Sequence, residues 1–172
     1  GGASLSVACT ASGNLVKTAS KISVSSSMTY TLSAFVKAAS GKTLDIKMNE
    51  YSSSDVLGQT VLTSVTGNGS WQRVTVEVTT SGTGVKLEPV FENTTAGANT
   101  FYVDAVLLEN SHLVGTYFDG STNDSLDFTY SWTGTDNAST SIQTGVSITG
   151  YAGSSGAVVI QSAEWSATGT GE

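Results

Sequence analysis

Hydrophobic and polar residues alternate along the first two thirds of the chain, and almost no stretch has helical spacing. Alternation with a period of two predicts β-strands that have one buried face. Glycine-rich turns such as 66–70 and 81–84 separate these segments. Short strands joined by such turns predict an antiparallel sandwich or barrel. The predicted strands are 4–8, 28–38, 43–51, 56–65, 71–79, 85–91 and 100–108.

The charged residues of these strands fall on the side opposite the core residues, and aromatic residues accompany them. Such a face is either simply solvated or a sugar-binding surface, where rings cover C–H faces and fixed polar groups bond hydroxyls. If it is a sugar-binding surface, Trp71 is either a platform or a structural plug at the edge of the sandwich. The predicted ligand contacts are Phe35, Tyr51, Trp71 and Arg73, with Asn49 and Glu88 as secondary polar contacts.

The length and composition of the chain exclude several classes of binding partner. The 172 residues fit one domain, or one domain with an appendage. The 14 acidic residues outnumber the 7 Lys and Arg, for a net charge of −7, which argues against nucleic-acid binding. No apolar run approaches the roughly 18 residues of a membrane span, so membrane insertion is not expected. With one cysteine, Cys9, the chain forms no internal disulfide.

Two groups of segments resemble known families. Residues 30–38, 71–74 and 101–109 resemble the core strands of family-4/9-type carbohydrate-binding modules, which are jelly-roll sandwiches. Residues 117–122, 130–135 and 138–141 resemble a segment that follows such modules in minor tail proteins of phages infecting Gram-positive, especially actinobacterial, hosts. The family has a further strand before residue 4. Either the sequence starts late, or a sheet edge is left open or filled by another chain.

The resemblance implies an all-β antiparallel jelly-roll sandwich over 1–110. A short turn-rich extension over 111–145 would pack on it, and 146–172 would be a linker or the start of a further element. The implied function is a non-catalytic module on the extracellular-facing virion tail, adhering to host cell-envelope glycans. Its partners would be cell-surface polysaccharide and other tail chains, with a homo-oligomer as one option.

Two other functions fit the same sequence: a structural spacer or decoration of the tail without sugar binding, and the binding module of a secreted glycosidase. Catalysis by the chain itself is disfavoured. Glu88 and Glu92 share a strand face about 13 Å apart, beyond the roughly 5–9.5 Å used by glycosidases. A catalytic pair formed by Glu50 and Glu88 on neighbouring strands remains an open alternative. His112 is the single histidine and has no Gly-x-Ser-x-Gly elbow to act with.

Asp104 is an acid inside an apolar strand. The resemblance implies a structural Ca²⁺ with an acid at this point of the last strand. Ca²⁺ needs six to eight oxygen ligands, so the alternative is an aspartate that bonds a loop amide. The acid-rich segment 119–127 lacks the EF-hand spacing and predicts a turn stabilised by Asx side chains.

Overall fold

The computed structural model describes residues 4–115, 122–124, 128–132, 140–145, 158–161 and 165–168. These residues form strands and turns and contain no helix, so none of them belongs to a helix long and apolar enough to cross a membrane. The strands are β1 Leu5–Cys9, β2 Leu15–Thr18, β3 Ile22–Ser23, β4 Thr29–Ala38, β5 Thr43–Tyr51, β6 Leu57–Thr66, β7 Gln72–Thr79, β8 Lys86–Asn93, β9 Asn99–Glu109, β10 Phe128–Trp132, β11 Thr140–Gly145, β12 Val158–Gln161 and β13 Trp165–Thr168.

Two antiparallel sheets make the sandwich. The four-stranded sheet has the order β1-β9-β4-β7, and the six-stranded sheet has the order β13-β2-β8-β5-β6, with β3 also paired to β8. From β4 to β9 the chain passes back and forth between the two sheets. This connectivity confirms the predicted jelly-roll sandwich.

The core lies between the sheets and follows directly from the alternation in the sequence. In β5, every second residue from Leu44 to Glu50 is buried, and the residues between them are only partly covered. In β7, Val74, Val76 and Val78 are the buried set. Burial of each such aliphatic side chain contributes on the order of 1.5–3 kcal/mol to folding. Fixing these residues inward also fixes which side chains face outward.

Glu50 is a carboxylate in the inward phase of β5, with 1% of its surface exposed. It accepts hydrogen bonds from the side-chain amide of Gln59 and from the backbone N–H and hydroxyl of Ser81. Burial would raise the pKa of Glu50, but these bonds outweigh that effect and lower it. A side chain at Gly84 would collide with the carboxylate. Glu50 therefore fastens the β7–β8 turn to β5.

Glu109 ends β9 and is the second buried acid, with 3% of its surface exposed. Both carboxylate oxygens accept from the N–H of Gly115, at 3.1 and 2.9 Å. Burial raises the pKa of Glu109, and the bond from Gly115 and the charge of Arg73 oppose that shift only in part. The carboxylate holds the segment that leaves the sandwich after β9.

In the part of the chain that the structure describes, four strands follow β9. Strand β10 pairs with β11, and β11 pairs with β12. β13 pairs antiparallel with β2 along the outer edge of the six-stranded sheet. This edge is thus covered by the chain's own residues. The domain boundaries at 110 and 145 stay a prediction, and much of the 117–141 motif lies outside the described residues.

We expect Glu50→Gln to lower the free energy of unfolding by about 1–3 kcal/mol, because the amide would present N–H groups to the donors that now bond the carboxylate. Glu109→Gln is the matched control. Burial already disfavours the charge of Glu109 and raises its pKa. Replacing Glu109 with a neutral amide should therefore lower the free energy of unfolding by less than Glu50→Gln does. Urea unfolding at pH 7 measures both variants, and a larger loss for Glu109→Gln would contradict the account.

Candidate functional site

An open groove of about 420 Å³ crosses the outward face of the six-stranded sheet. Residues of β5 and β8 that point away from the core form its floor, because these strands pair in register with Asn49 opposite Glu88. Strand β2 on one side and β6 on the other complete it. The lining residues are Leu15, Lys17, Lys47, Asn49, Tyr51, Thr60, Glu88, Val90 and Glu92.

Glu88 lies at the centre of the groove floor and is 4% exposed. Its Oε1 accepts from Lys17 Nζ at 2.9 Å. Its Oε2 accepts from the hydroxyl of Tyr51 at 2.9 Å and from Asn49 Nδ2 at 3.4 Å. Burial would raise the pKa of Glu88, but these bonds and the Lys17 charge lower it, so the carboxylate is ionised at neutral pH.

Tyr51 forms one wall of the groove. Lys21 Nζ lies 3.9 Å from the centroid of its ring, a cation–π contact. Burial, followed by the bond to Glu88 and the charge of that carboxylate, raises the pKa of the Tyr51 hydroxyl. The phenol therefore stays protonated and keeps its hydroxyl directed at Glu88.

The rest of the groove combines charged, polar and apolar groups. Lys47 Nζ lies 2.6 Å from Glu92 Oε2, and the hydroxyl of Thr60 donates to Asn49 Oδ1 at 2.7 Å. Leu15 and Val90 add apolar surface between these polar groups. Apolar patches framed by oriented hydrogen-bonding groups suit a ligand with alternating C–H and hydroxyl surfaces.

The six predicted ligand contacts do not share one face. Asn49, Tyr51 and Glu88 come together in the groove, as described above. Phe35 lies on β4 and Arg73 on β7, opposite each other in the four-stranded sheet, and Trp71 directly precedes β7. A single open face that carries Phe35, Tyr51, Trp71 and Arg73 is therefore wrong, because a period of two distinguishes inside from outside but not one sheet from the other.

Arg73 is engaged within the fold. Its Nη2 donates to the carbonyl of Gly115 at 2.7 Å and to the Ser33 hydroxyl at 3.3 Å. The guanidinium carbon lies 5.9 Å from the centroid of the Phe35 ring. Together with Glu109, which bonds the N–H of the same Gly115, Arg73 holds the chain leaving β9.

Trp71 is 41% exposed and meets Tyr102 edge-on, with ring centroids 6.4 Å apart. Tyr102 faces Lys37 in the β4–β9 register, so this pair belongs to the four-stranded sheet. Its exposed aromatic surface is separate from the groove, and a role for Trp71 in ligand contact stays a prediction.

Asp104 marks an irregularity between β4 and β9. The pairing shifts register between Ser33 and Phe35, and Ala105 adopts a φ of 49°. Asp104 Oδ1 accepts from the N–H of Ala105 at 2.7 Å, so the carboxylate supports this bulge. Within the described residues, no group of three or more His, Cys, Asp or Glu side chains could hold a metal ion. The described side chains thus do not form a carboxylate cage at Asp104, and calcium there stays a prediction.

Sequence reasoning missed six of the nine residues that line the groove. Leu15 and Lys17 come from β2, and a four-residue strand is too short for its alternation to stand out. Lys47 and Glu92 were placed on the outward side of their strands but were not selected as contacts. A signal was available, because outward charged residues on paired strands predict a common polar surface.

The chain matches the family model described as a carbohydrate binding domain, of families 4 and 9, over residues 6–97, more than half of its length. No curated protein matches it significantly. It is similar to a solved CBM4 structure at 21% identity and a TM-score of 0.45, covering 55% of this chain and 59% of that one. The chain thus spans less than two thirds of that relative's length.

Two other similar structures come from different kinds of protein. One is the N-terminal cellulose-binding domain of β-1,4-glucanase C from Cellulomonas fimi, at 23% identity and a TM-score of 0.49, covering 64% of this chain and 80% of that one. The other is the tripod from the baseplate of bacteriophage Tuc2009, at 13% identity and a TM-score of 0.42, covering 92% and 80%.

The ion pair at the groove floor predicts a pH dependence. Because the pKa of Glu88 is lowered in the folded protein, its stabilising contribution is present above the ordinary glutamate value and is lost as pH falls through the lower folded value. Lys17→Gln should raise the Glu88 midpoint and destabilise the protein at neutral pH, with the difference from wild type shrinking in acid.

Carbon-detected NMR titration of the glutamate carboxyls measures that midpoint, and urea unfolding at pH 7 and pH 3 measures the stability difference. Lys42→Gln, which removes a partly buried lysine outside the groove, is the control. A Glu88 midpoint that does not move in Lys17→Gln would show that the ion pair does not set its pKa.

Proposed function

Because the chain belongs to the carbohydrate-binding domains of families 4 and 9, we propose that it binds polysaccharide, without catalysis, in the groove of the six-stranded sheet. The observation that carries this proposal is the convergence of Asn49, Tyr51 and Glu88 on one concave surface. These side chains are fixed by hydrogen bonds to one another before any ligand arrives. Such preorganisation reduces the entropy lost on binding.

The groove offers both kinds of contact that a sugar chain requires. Leu15, Val90 and the ring of Tyr51 present apolar surface for the C–H faces of pyranose rings. Asn49 and Thr60 present amide and hydroxyl groups for sugar hydroxyls. The groove is open, which suits a segment within a long polymer rather than a small molecule that must be enclosed.

Several features support a binding role without hydrolysis. A glycosidase needs one carboxyl with a raised pKa as acid, whereas the pKa of Glu88 is lowered. Glu50 points into the core while Glu88 faces the groove, so the cross-strand pair left open by the sequence does not flank a common ligand. His112 lies at the surface, with Nδ1 3.3 Å from Glu77.

We place this module on the extracellular-facing part of a phage tail, where it would adhere to host cell-envelope glycans beside other tail chains. Support comes from the sequence resemblance of 117–122, 130–135 and 138–141 to tail-protein segments. Many copies on one virion would turn weak single-site binding into strong attachment. A tail spacer without sugar binding would explain the fold equally but gives the groove residues no common purpose. A module of a secreted glycosidase would explain both the fold and the groove, and the resemblance to tail-protein segments favours the tail over it.

We expect Asn49→Ala and Tyr51→Ala each to weaken polysaccharide binding about tenfold, since each removes a contact group worth on the order of 1–2 kcal/mol. Trp71→Ala, on the other sheet, should change the affinity less than about twofold. Affinity electrophoresis against a panel of soluble glucans, xylans, mannans and bacterial wall polysaccharides measures all three. Near-ultraviolet circular dichroism checks that each variant is folded.

The opposite pattern, with binding lost in Trp71→Ala and kept in Tyr51→Ala, would move the site to the four-stranded sheet. A folded wild-type protein that binds no member of the panel would favour the structural spacer.

A further inference from the structure

A second cavity of about 400 Å³ adjoins one end of the groove. Lys17 and Glu88 line both, so the two form one continuous surface. The lining residues of this end are Lys17, Ala19, Lys21, Asp55, Lys86 and Glu88. Three ammonium groups thus face two carboxylates.

Lys21 and Lys86 share a single carboxylate oxygen. Their Nζ atoms lie 3.0 and 2.9 Å from the same Oδ1 of Asp55. The bond from Lys86, followed by the bond from Lys21, lowers the pKa of Asp55. Asp55 is therefore ionised at neutral pH. The single negative charge of Asp55 therefore neutralises only one of the two lysine charges. Glu88 is already bonded to Lys17 and the neighbouring side chains.

Both lysines retain hydrogen-bonding capacity. An ammonium has three N–H donors. Lys86 directs donors to Asp55 and to the carbonyl of Ser53, and Lys21 directs one to Asp55 while lying over the Tyr51 ring. About a quarter of each lysine side chain is exposed, 26% for Lys21 and 27% for Lys86. A negatively charged group arriving from solvent can reach both.

The charge changes sign along the groove. At the opposite end, Lys47 pairs with Glu92, and Asp45 lies beside Glu92 in the β5–β8 register. That end has more carboxylate than ammonium. In a chain with only 7 Lys and Arg and a net charge of −7, the gathering of Lys17, Lys21 and Lys86 at one end is a local reversal of the overall charge.

We propose that the ligand is an anionic glycan, whose carboxylate or phosphate is held by Lys21 and Lys86 while its sugar rings lie along the groove. This inference rests on the carbohydrate-binding function proposed above. Carboxylate and phosphate oxygens accept charge-assisted bonds from ammonium groups, which are about twice as strong as bonds between neutral partners. The acidic end of the groove would disfavour the reversed orientation and so set the direction of the bound chain.

Two changes of opposite sign test the proposal. Lys21→Gln with Lys86→Gln should weaken binding of an acidic polymer about tenfold and leave a neutral polymer within about twofold. Asp55→Asn should strengthen acidic-polymer binding several-fold, since it removes the negative charge that now offsets both ammonium groups. Asp55 has a φ of 61°, a conformation that asparagine tolerates. Lys37→Gln with Lys42→Gln, outside the groove, is the charge-matched control.

The probes are polygalacturonate, its methyl ester as the neutral match, poly(glycerol phosphate), and uncharged xylan and glucan, each titrated calorimetrically. Preference for polygalacturonate over its ester assigns a carboxylate ligand, and preference for poly(glycerol phosphate) assigns a phosphodiester. Either result, with the two opposite variant effects, supports the proposal.

Binding of neutral polymers alone, or equal effects of the groove and control lysine pairs, overturns the anionic ligand and leaves the carbohydrate-binding function standing. If a protein that unfolds cooperatively binds neither acidic nor neutral polymers, the anionic ligand and the carbohydrate-binding function are both overturned.

Discussion

The Glu88 carboxylate is buried in the face of a sheet, and a buried charge is tolerated only when it is fully compensated. Compensation comes from Lys17 on β2 and from Asn49 and Tyr51 on β5, the two strands that flank β8. The bonds hold three strands in one arrangement of side chains. The geometry of the groove follows from this requirement, because the groups that neutralise Glu88 are also those that line the surface.

The same requirement applies to the other two buried carboxylates of the sandwich. Glu50 fastens the β7–β8 turn through neutral donors, and Glu109 with Arg73 holds the segment after β9. Glu50 also accepts from Gln59 of β6, whereas the Glu109 carboxylate accepts from Gly115. Glu88 instead links side chains from two flanking strands, so a change at one of its partners is felt across the groove.

The sequence predicted the architecture because the alternation in β4, β5, β7 and β9 is long and regular. It also placed Asn49, Tyr51 and Glu88 on outward faces correctly. It did not assign strands to sheets, so Phe35 and Arg73 were grouped with Tyr51 although they lie on the other side of the sandwich. The lysines that border Tyr51 were missed because β2 is short and because Lys21 and Lys86 meet only through Asp55, far from both in sequence.

The central claim is that the six-stranded sheet carries the ligand, and mapping by NMR tests it most directly. Amide and side-chain signals of isotope-labelled protein would be followed while a binding polysaccharide is added. The account predicts that the shifted signals cluster at Lys17, Asn49, Tyr51 and Glu88, with Trp71 and Tyr102 unchanged. Shifts confined to Trp71 and Tyr102 on the four-stranded sheet would contradict it.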